Sequence, residues 1–176
     1  MRPLKILGID PSTTSTGVCF PNQSTLCLKP KASLGTGIER LQWLRDQVKS
    51  LLEEGRPDLV VLEDYVYGTK KFGHGTISTA EWGGVLRLLL LDYWIPVALV
   101  NPSTLKSYLE IGKGEDKTAG FSRLAALTGR TWRTNDEAEA WGLASMGYLR
   151  FGPPWFKSTK PQAAAVGRVE WPTIIG

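Results

Sequence analysis

Short apolar runs alternate with polar turns over the first thirty residues of this chain of 176. Residues 4–10, 16–21 and 25–29 read as three strands, joined by a Ser/Thr/Gly turn after Asp10 and by Pro21–Asn22–Gln23–Ser24. Connections this short favour an antiparallel meander, because parallel neighbours need a long crossover. Ile38, Leu41, Leu44, Val48, Leu51 and Leu52 then recur at helical spacing with charges opposite, until Gly55–Arg56–Pro57 breaks the pattern. Residues 58–63 are almost continuously apolar, as in a central strand covered on both faces. The stretch 64–77 is polar, glycine-containing and basic and reads as a loop, and 78–94 reads as a helix. Residues 97–100 form another short buried strand. Asn101–Pro102 opens a helix to about Glu110, and two more are expected over 115–128 and 135–149. This order predicts an α/β fold, a mixed sheet of three antiparallel strands followed by two parallel ones, flanked by helices. Beyond residue 150 the prolines 153, 154, 161 and 172 and an alanine run predict an extended tail, packed on the domain or loosely ordered. The expected organisation is therefore a domain over 1–150 and a tail over 151–176.

Composition narrows the class without naming it. Hydrophobic content of 42% and charged content of 22% are those of an ordinary globular domain. No apolar run approaches the ~20 residues that span a bilayer. The N-terminus lacks a signal-peptide core, so an intracellular, cytoplasmic location is expected. Cys19 and Cys27 match neither a zinc spacing nor a disulfide framework, and both are expected to be small packed residues. A net charge of +4 permits a polyanionic partner.

The acidic residues carry the chemistry. Asp10 closes the run Lys5–Ile6–Leu7–Gly8–Ile9, Glu63 ends Asp58–Leu59–Val60–Val61–Leu62, and Asp136 and Glu139 stand three apart near the C-terminus. Acids from separated elements, each beside core sequence, point to a divalent-metal site. Carboxylates forced together are tolerated by protonating one or by binding a cation. Four carboxylates balance two Mg²⁺ ions in formal charge, and magnesium prefers oxygen ligands. His74 is the sole histidine, so no nitrogen cluster competes for the metal role. Thr134 with Glu137 fits a capping box, which makes Glu137 the structural acid and leaves Asp136 and Glu139 for the site.

Ile9–Asp10–Pro11–Ser12, Leu62–Glu63–Asp64 and Asp136–Glu137–Ala138–Glu139–Ala140 resemble, in order and spacing, the three acidic motifs of the RuvC-like Holliday-junction resolvases. The resemblance covers about residues 4–150. Asn101–Pro102–Ser103–Thr104–Leu105–Lys106, with Gly112–Lys113–Gly114 and Lys117, resembles that family's pair of functional lysines around a glycine-rich turn. The resemblance implies an RNase H-like domain and metal-dependent cleavage of four-way DNA junctions by a homodimer. It implies Asp10, Glu63, Asp136 and Glu139 as metal ligands for Mg²⁺ or Mn²⁺, two ions per site. Lys106, Lys113 and Lys117 would contact DNA, with Lys117 also serving catalysis. This chain has Glu139 where many members carry Asp, and Val66 where many carry an aromatic.

Two further features bear on partners. Tyr65, Tyr67, Lys70, Lys71 and Phe72 interleave aromatics and lysines directly after Glu63, a pattern suited to stacking on unpaired bases and contacting phosphates. Residues 78–94 are apolar around more than one face, as in a core helix or one packed across a two-fold interface. Three other functions stay open: a nuclease for forks, flaps and three-way junctions, an actin-like ATPase lobe, and a non-catalytic nucleic-acid-binding module.

Overall fold

The computed structural model describes residues 2–65 and 74–174, with side chains from 77 onward in the second block. The strands are β1 (Ile6–Asp10), β2 (Thr16–Cys19), β3 (Thr25–Leu28), β4 (Leu59–Glu63) and β5 (Val97–Val100). The helices are α1 (Ile38–Gly55), α2 (His74–Asp92), α3 (Pro102–Tyr108), α4 (Lys117–Thr128), α5 (Asn135–Phe151) and α6 (Lys160–Gly167). The strands form one sheet in the order β3-β2-β1-β4-β5. β1 and β2, and β2 and β3, pair antiparallel, whereas β1 with β4 and β4 with β5 pair parallel. This is the mixed sheet expected from the strand spacing.

The two-residue period of a strand divides the core. Ile6 of β1 and Leu59 and Val61 of β4 join a cluster with α3, α4, α5 and α6. Leu7 and Ile9, with Val60 and Leu62, join a second cluster with α1 and α2. Both central strands are thus apolar on both faces, which is why their sequences show no alternation.

Helix α5 lies unusually close to the sheet. A methyl group on Gly8 would stand 2.1 Å from the Ala140 carbonyl oxygen, and one on Gly17 2.1 Å from that of Asp136. Ala140, Ala144 and Gly147 continue the contact along the helix, and the last of these nests against Ile6 and Val61. At its far end the Tyr148 hydroxyl donates to the Leu4 carbonyl (3.0 Å) and accepts from the Ile6 amide (3.3 Å).

Two expectations need correction. The segment 64–77 is not loop to its end, because α2 already begins at His74; its polar, glycine-rich start hides the helix from a periodicity argument. The stretch beyond 150 is not extended throughout. Thr159 caps α6, its hydroxyl accepting from the Gln162 amide (3.4 Å) while the Gln162 side chain accepts from the Thr159 amide (2.9 Å). Pro161 falls in the first turn, where a missing N–H costs nothing. The alanines are strong helix formers rather than tail filler. The segment is pinned by stacking of Trp155 on Tyr148 (4.7 Å between centroids) and by Trp171, whose Nε1 donates to the Val166 carbonyl (3.0 Å). Cys19 is buried and Cys27 half-buried, and both are free thiols as expected. Trp94, at the end of the turn after α2, is 89% exposed.

Candidate metal centre

Ile9 of β1 pairs with Leu62 of β4, so the next residues along these parallel strands, Asp10 and Glu63, are neighbours at the strand ends. Ile9 and Leu62 face α1 and α2. One residue further, strand alternation turns both acids toward α5. That helix brings Asp136 and Glu139 in its first turns, three residues apart and hence on one face. Asp10, Asp136 and Glu139 each offer an oxygen within 4.8 Å of the others. Glu63 falls outside that group of three and stands at its edge, its carboxyl group hydrogen-bonded to that of Asp10.

Glu137 points elsewhere. Its carboxylate accepts from the Arg133 amide (3.0 Å), and its own amide donates to the Thr134 hydroxyl (3.2 Å). The helix start therefore separates an acid engaged with backbone from two that face the sheet; the Thr134 cap forms as expected, but Glu137 reaches back to the Arg133 amide rather than to that of Thr134, so the box is only half made.

The electrostatics fit a cation. Burial, together with the charges of Glu63, Glu139 and Asp136, pushes the Asp10 carboxyl well above the usual carboxylate range. Burial also raises Glu63, partly countered by the hydrogen bond to Asp10 and by the charges of Lys117 and Lys106. At the first residue of α4, the Lys117 ammonium donates to both oxygens of Glu139, at 2.7 and 3.0 Å. Burial acts to lower the Lys117 pKa, but Glu139, Asp10 and Glu63 outweigh it and leave the ammonium more firmly charged. One ammonium facing four acids leaves a charge deficit. All the donors are hard oxygens, which suits Mg²⁺ or Mn²⁺ better than zinc or copper.

The other residues singled out in the sequence are dispersed. Lys106 is exposed on α3, near enough for its charge to act on Glu63. Lys113 is exposed in the turn before α4. That turn is braced by Glu115, which accepts from the Gly112 amide (2.7 Å) and from Arg123 (2.6 Å). Tyr65 lies with its ring beside Gly83 and beneath the Arg87 guanidinium, 4.4 Å from the ring centroid. Tyr67, Lys70, Lys71 and Phe72 lie outside the described residues.

Several supporting residues escaped the sequence reading. Arg87 of α2 pairs with Asp64 and donates to the Tyr65 hydroxyl (3.2 Å), tying the exit from β4 to a helix. Trp82, fully buried, donates to the Thr16 hydroxyl (2.9 Å), which donates in turn to the Ser12 carbonyl (2.7 Å). This relay shapes the turn directly after Asp10. Gly8 and Gly17 let α5 approach. Gly8 and Gly17 inside strand-like runs were the one available signal, since a glycine there often marks close backbone approach.

Comparison with known proteins agrees with this geometry. No family model matches the chain. It is 28% identical over 151 residues to the crossover junction endodeoxyribonuclease RuvC of Ruegeria pomeroyi, covering 80% of this chain and 88% of that protein. It is 27% identical over 157 residues to the RuvC of Carboxydothermus hydrogenoformans, covering 85% and 98%. Among solved structures it resembles Thermus thermophilus RuvC in complex with a Holliday junction substrate, with a TM-score of 0.62 at 19% identity over 89% of this chain and 99% of that one. The fold is RNase H-like, as the acidic motifs implied.

Proposed function

We propose that this chain, RuvC-like in sequence and fold, is a structure-selective endonuclease that resolves four-way DNA junctions with the help of divalent ions. The observation that carries the reading is the meeting of acids from β1, β4 and α5 at one end of an RNase H-like sheet. Asp10, Glu63, Asp136 and Glu139 are the residues to hold Mg²⁺ or Mn²⁺, and two ions balance their four charges. Such ions, when bound, activate a water and stabilise the leaving oxygen of an in-line phosphoryl displacement. Lys117, held by Glu139, keeps its proton and sets a positive charge beside the phosphate to be cut. Lys106 and Lys113 add phosphate contacts, and Tyr65, Tyr67, Lys70, Lys71 and Phe72 add base stacking and further phosphate contacts.

The test is incubation of a synthetic four-way junction with the purified protein, with and without Mg²⁺ or Mn²⁺, mapping the cuts. Paired nicks on opposed strands that require the ion are expected; an intact junction with either ion would overturn the reading. Forks, flaps and three-way junctions in the same assay measure the breadth of substrate. The ATPase-lobe alternative is not favoured, since the similar proteins are junction nucleases.

Lys117→Met is expected to slow cutting about a hundredfold, roughly 2.7 kcal/mol. Junction affinity measured without metal should change by less than about fivefold, because one phosphate contact among many is lost. An unchanged cutting rate in this variant would remove Lys117 from the reaction.

Opposed strands are cut by two sites, so we read the protein as a homodimer built on α2. Trp82, Leu86, Leu89 and Leu90 are buried within the domain, yet Ile77, Leu88 and Leu91 are 50–64% exposed. Ile77, Gly84, Leu88 and Leu91 stand seven, four and three residues apart, a heptad-like seam interrupted at the exposed Glu81 and suited to a second helix. Leu88→Glu combined with Leu91→Glu should convert a sedimentation mass of two chains into one and end paired nicking. A single-chain mass for the unaltered protein at micromolar concentration would oppose the dimer.

A further inference from the structure

A cavity of about 230 Å³ opens between α4 and the segment 131–135, beside the acid centre. It shares turns with that centre: Thr118 in its wall follows Lys117, Asn135 precedes Asp136, and Ala138 in its lining precedes Glu139. Phe121 and Trp132 supply aromatic walls, Trp132 being held by its contact with Trp141 (5.3 Å between centroids). Around them stand Thr118, Thr131, Arg133 and Asn135, whose side chains have no hydrogen-bond partner among the described residues. Among the described residues no carboxylate lines the cavity.

This chemistry selects a class of ligand. Aromatic walls suit a flat, weakly polar ring, and the unpartnered amide, hydroxyls and guanidinium suit the heteroatoms on its edge. The volume lies below the usual range of 300–1,000 Å³ for a whole drug-sized ligand, so it admits one ring system rather than a nucleotide cofactor. A phosphate would find a single cation and two aromatic rings. Base pairs next to a branch are opened most readily, and a base lifted from the stack is read by its edge and by stacking.

We propose that this cavity receives an unpaired nucleobase adjacent to the cut phosphate and sets the base preference of cleavage, with Asn135 reading the base edge beside Trp132. The proposal rests on the nuclease reading above. Its test uses four-way junctions that differ only in the base beside the mapped cut, and copies carrying 2-aminopurine at that position. Unaltered protein should cut the best and worst bases at rates at least tenfold apart. Binding without metal should change the 2-aminopurine fluorescence.

Asn135→Ala, which removes the reading group, and Ser122→Phe, which fills the cavity, should each compress that spread to within about twofold. Ser122→Phe should also abolish the fluorescence change. Unaltered melting temperatures in both variants establish that they are folded. A spread that survives in either variant, or a fluorescence change that survives in Ser122→Phe, overturns the proposal, and so does unaltered protein showing neither. Protein that binds junctions but cuts none defeats the nuclease reading instead, and the fluorescence comparison then still decides the cavity.

Discussion

Asp10→Asn is expected to reduce cutting more than a thousandfold, about 4 kcal/mol of lost transition-state stabilisation, while leaving metal-free junction binding within a few fold. The asparagine keeps the shape of the strand end and removes one charge from the centre of the cluster. The same change should raise the melting temperature of the metal-free protein at neutral pH, because a buried carboxyl beside Glu63, Glu139 and Asp136 is a source of repulsion. It should also blunt the gain in melting temperature that Mg²⁺ or Mn²⁺ gives the unaltered protein. Unimpaired nicking by Asp10→Asn would remove this residue from the reaction.

A pH dependence follows with a definite sign. Asp10 and Glu63 hold their protons more tightly folded than unfolded. Between the ordinary carboxylate pKa and the raised ones, the folded state therefore binds more protons, and the metal-free protein loses stability as pH rises through that window. Metal must displace those protons, so ion-induced stabilisation should grow over the same range. Thermal melts at several pH values, with and without Mg²⁺, measure both slopes. Metal-free stability that rises across the window would contradict the environment described for these two acids.

Gly17→Ala is expected to be, with Gly8→Ala, among the most damaging conservative changes outside the acids themselves. The added methyl group would meet the Asp136 carbonyl oxygen at 2.1 Å and its carbon at 2.6 Å. Both are backbone atoms of α5, so no side chain can turn aside, and either the helix lifts from the sheet or β2 shifts. Overpacking typically costs about 1–3 kcal/mol, and a clash with backbone belongs at or above the upper end. Because the displaced residue is Asp136, cutting should fall further than the loss of folded protein explains. Gly55→Ala, where an added methyl group meets nothing within 4 Å, is the matched control and should melt within a few degrees of the unaltered protein. Equal stability of the two variants would mean that α5 does not lie where it is described.

Much of this architecture is legible in the chain because it rests on local pattern. The helical stripe from Ile38 to Leu52, the breaker Gly55–Arg56–Pro57 and the Asn101–Pro102 helix start each contain their own signal within a few residues. The acids were legible for a related reason: a carboxylate directly after an apolar run must either meet water at a strand end or find a cation, and three such places in one short chain restrict the choice. The Thr134 cap before Glu137 is likewise a local signal, and it forms. The capping signal of α6, Thr159 with Gln162, is equally local but is masked by the surrounding prolines.

What the sequence determined by itself was thus which residues form strands and helices, and which acids were available for a shared site. Only the tertiary structure decided that Glu63 would share a hydrogen bond with Asp10, that Lys117 would hold Glu139, and that Arg87 would hold Asp64 and Tyr65. Those pairings join residues 22 or more apart in the chain, and no local period encodes them. They follow from strand register and from how closely α5 can approach two glycines, which are properties of packed backbone.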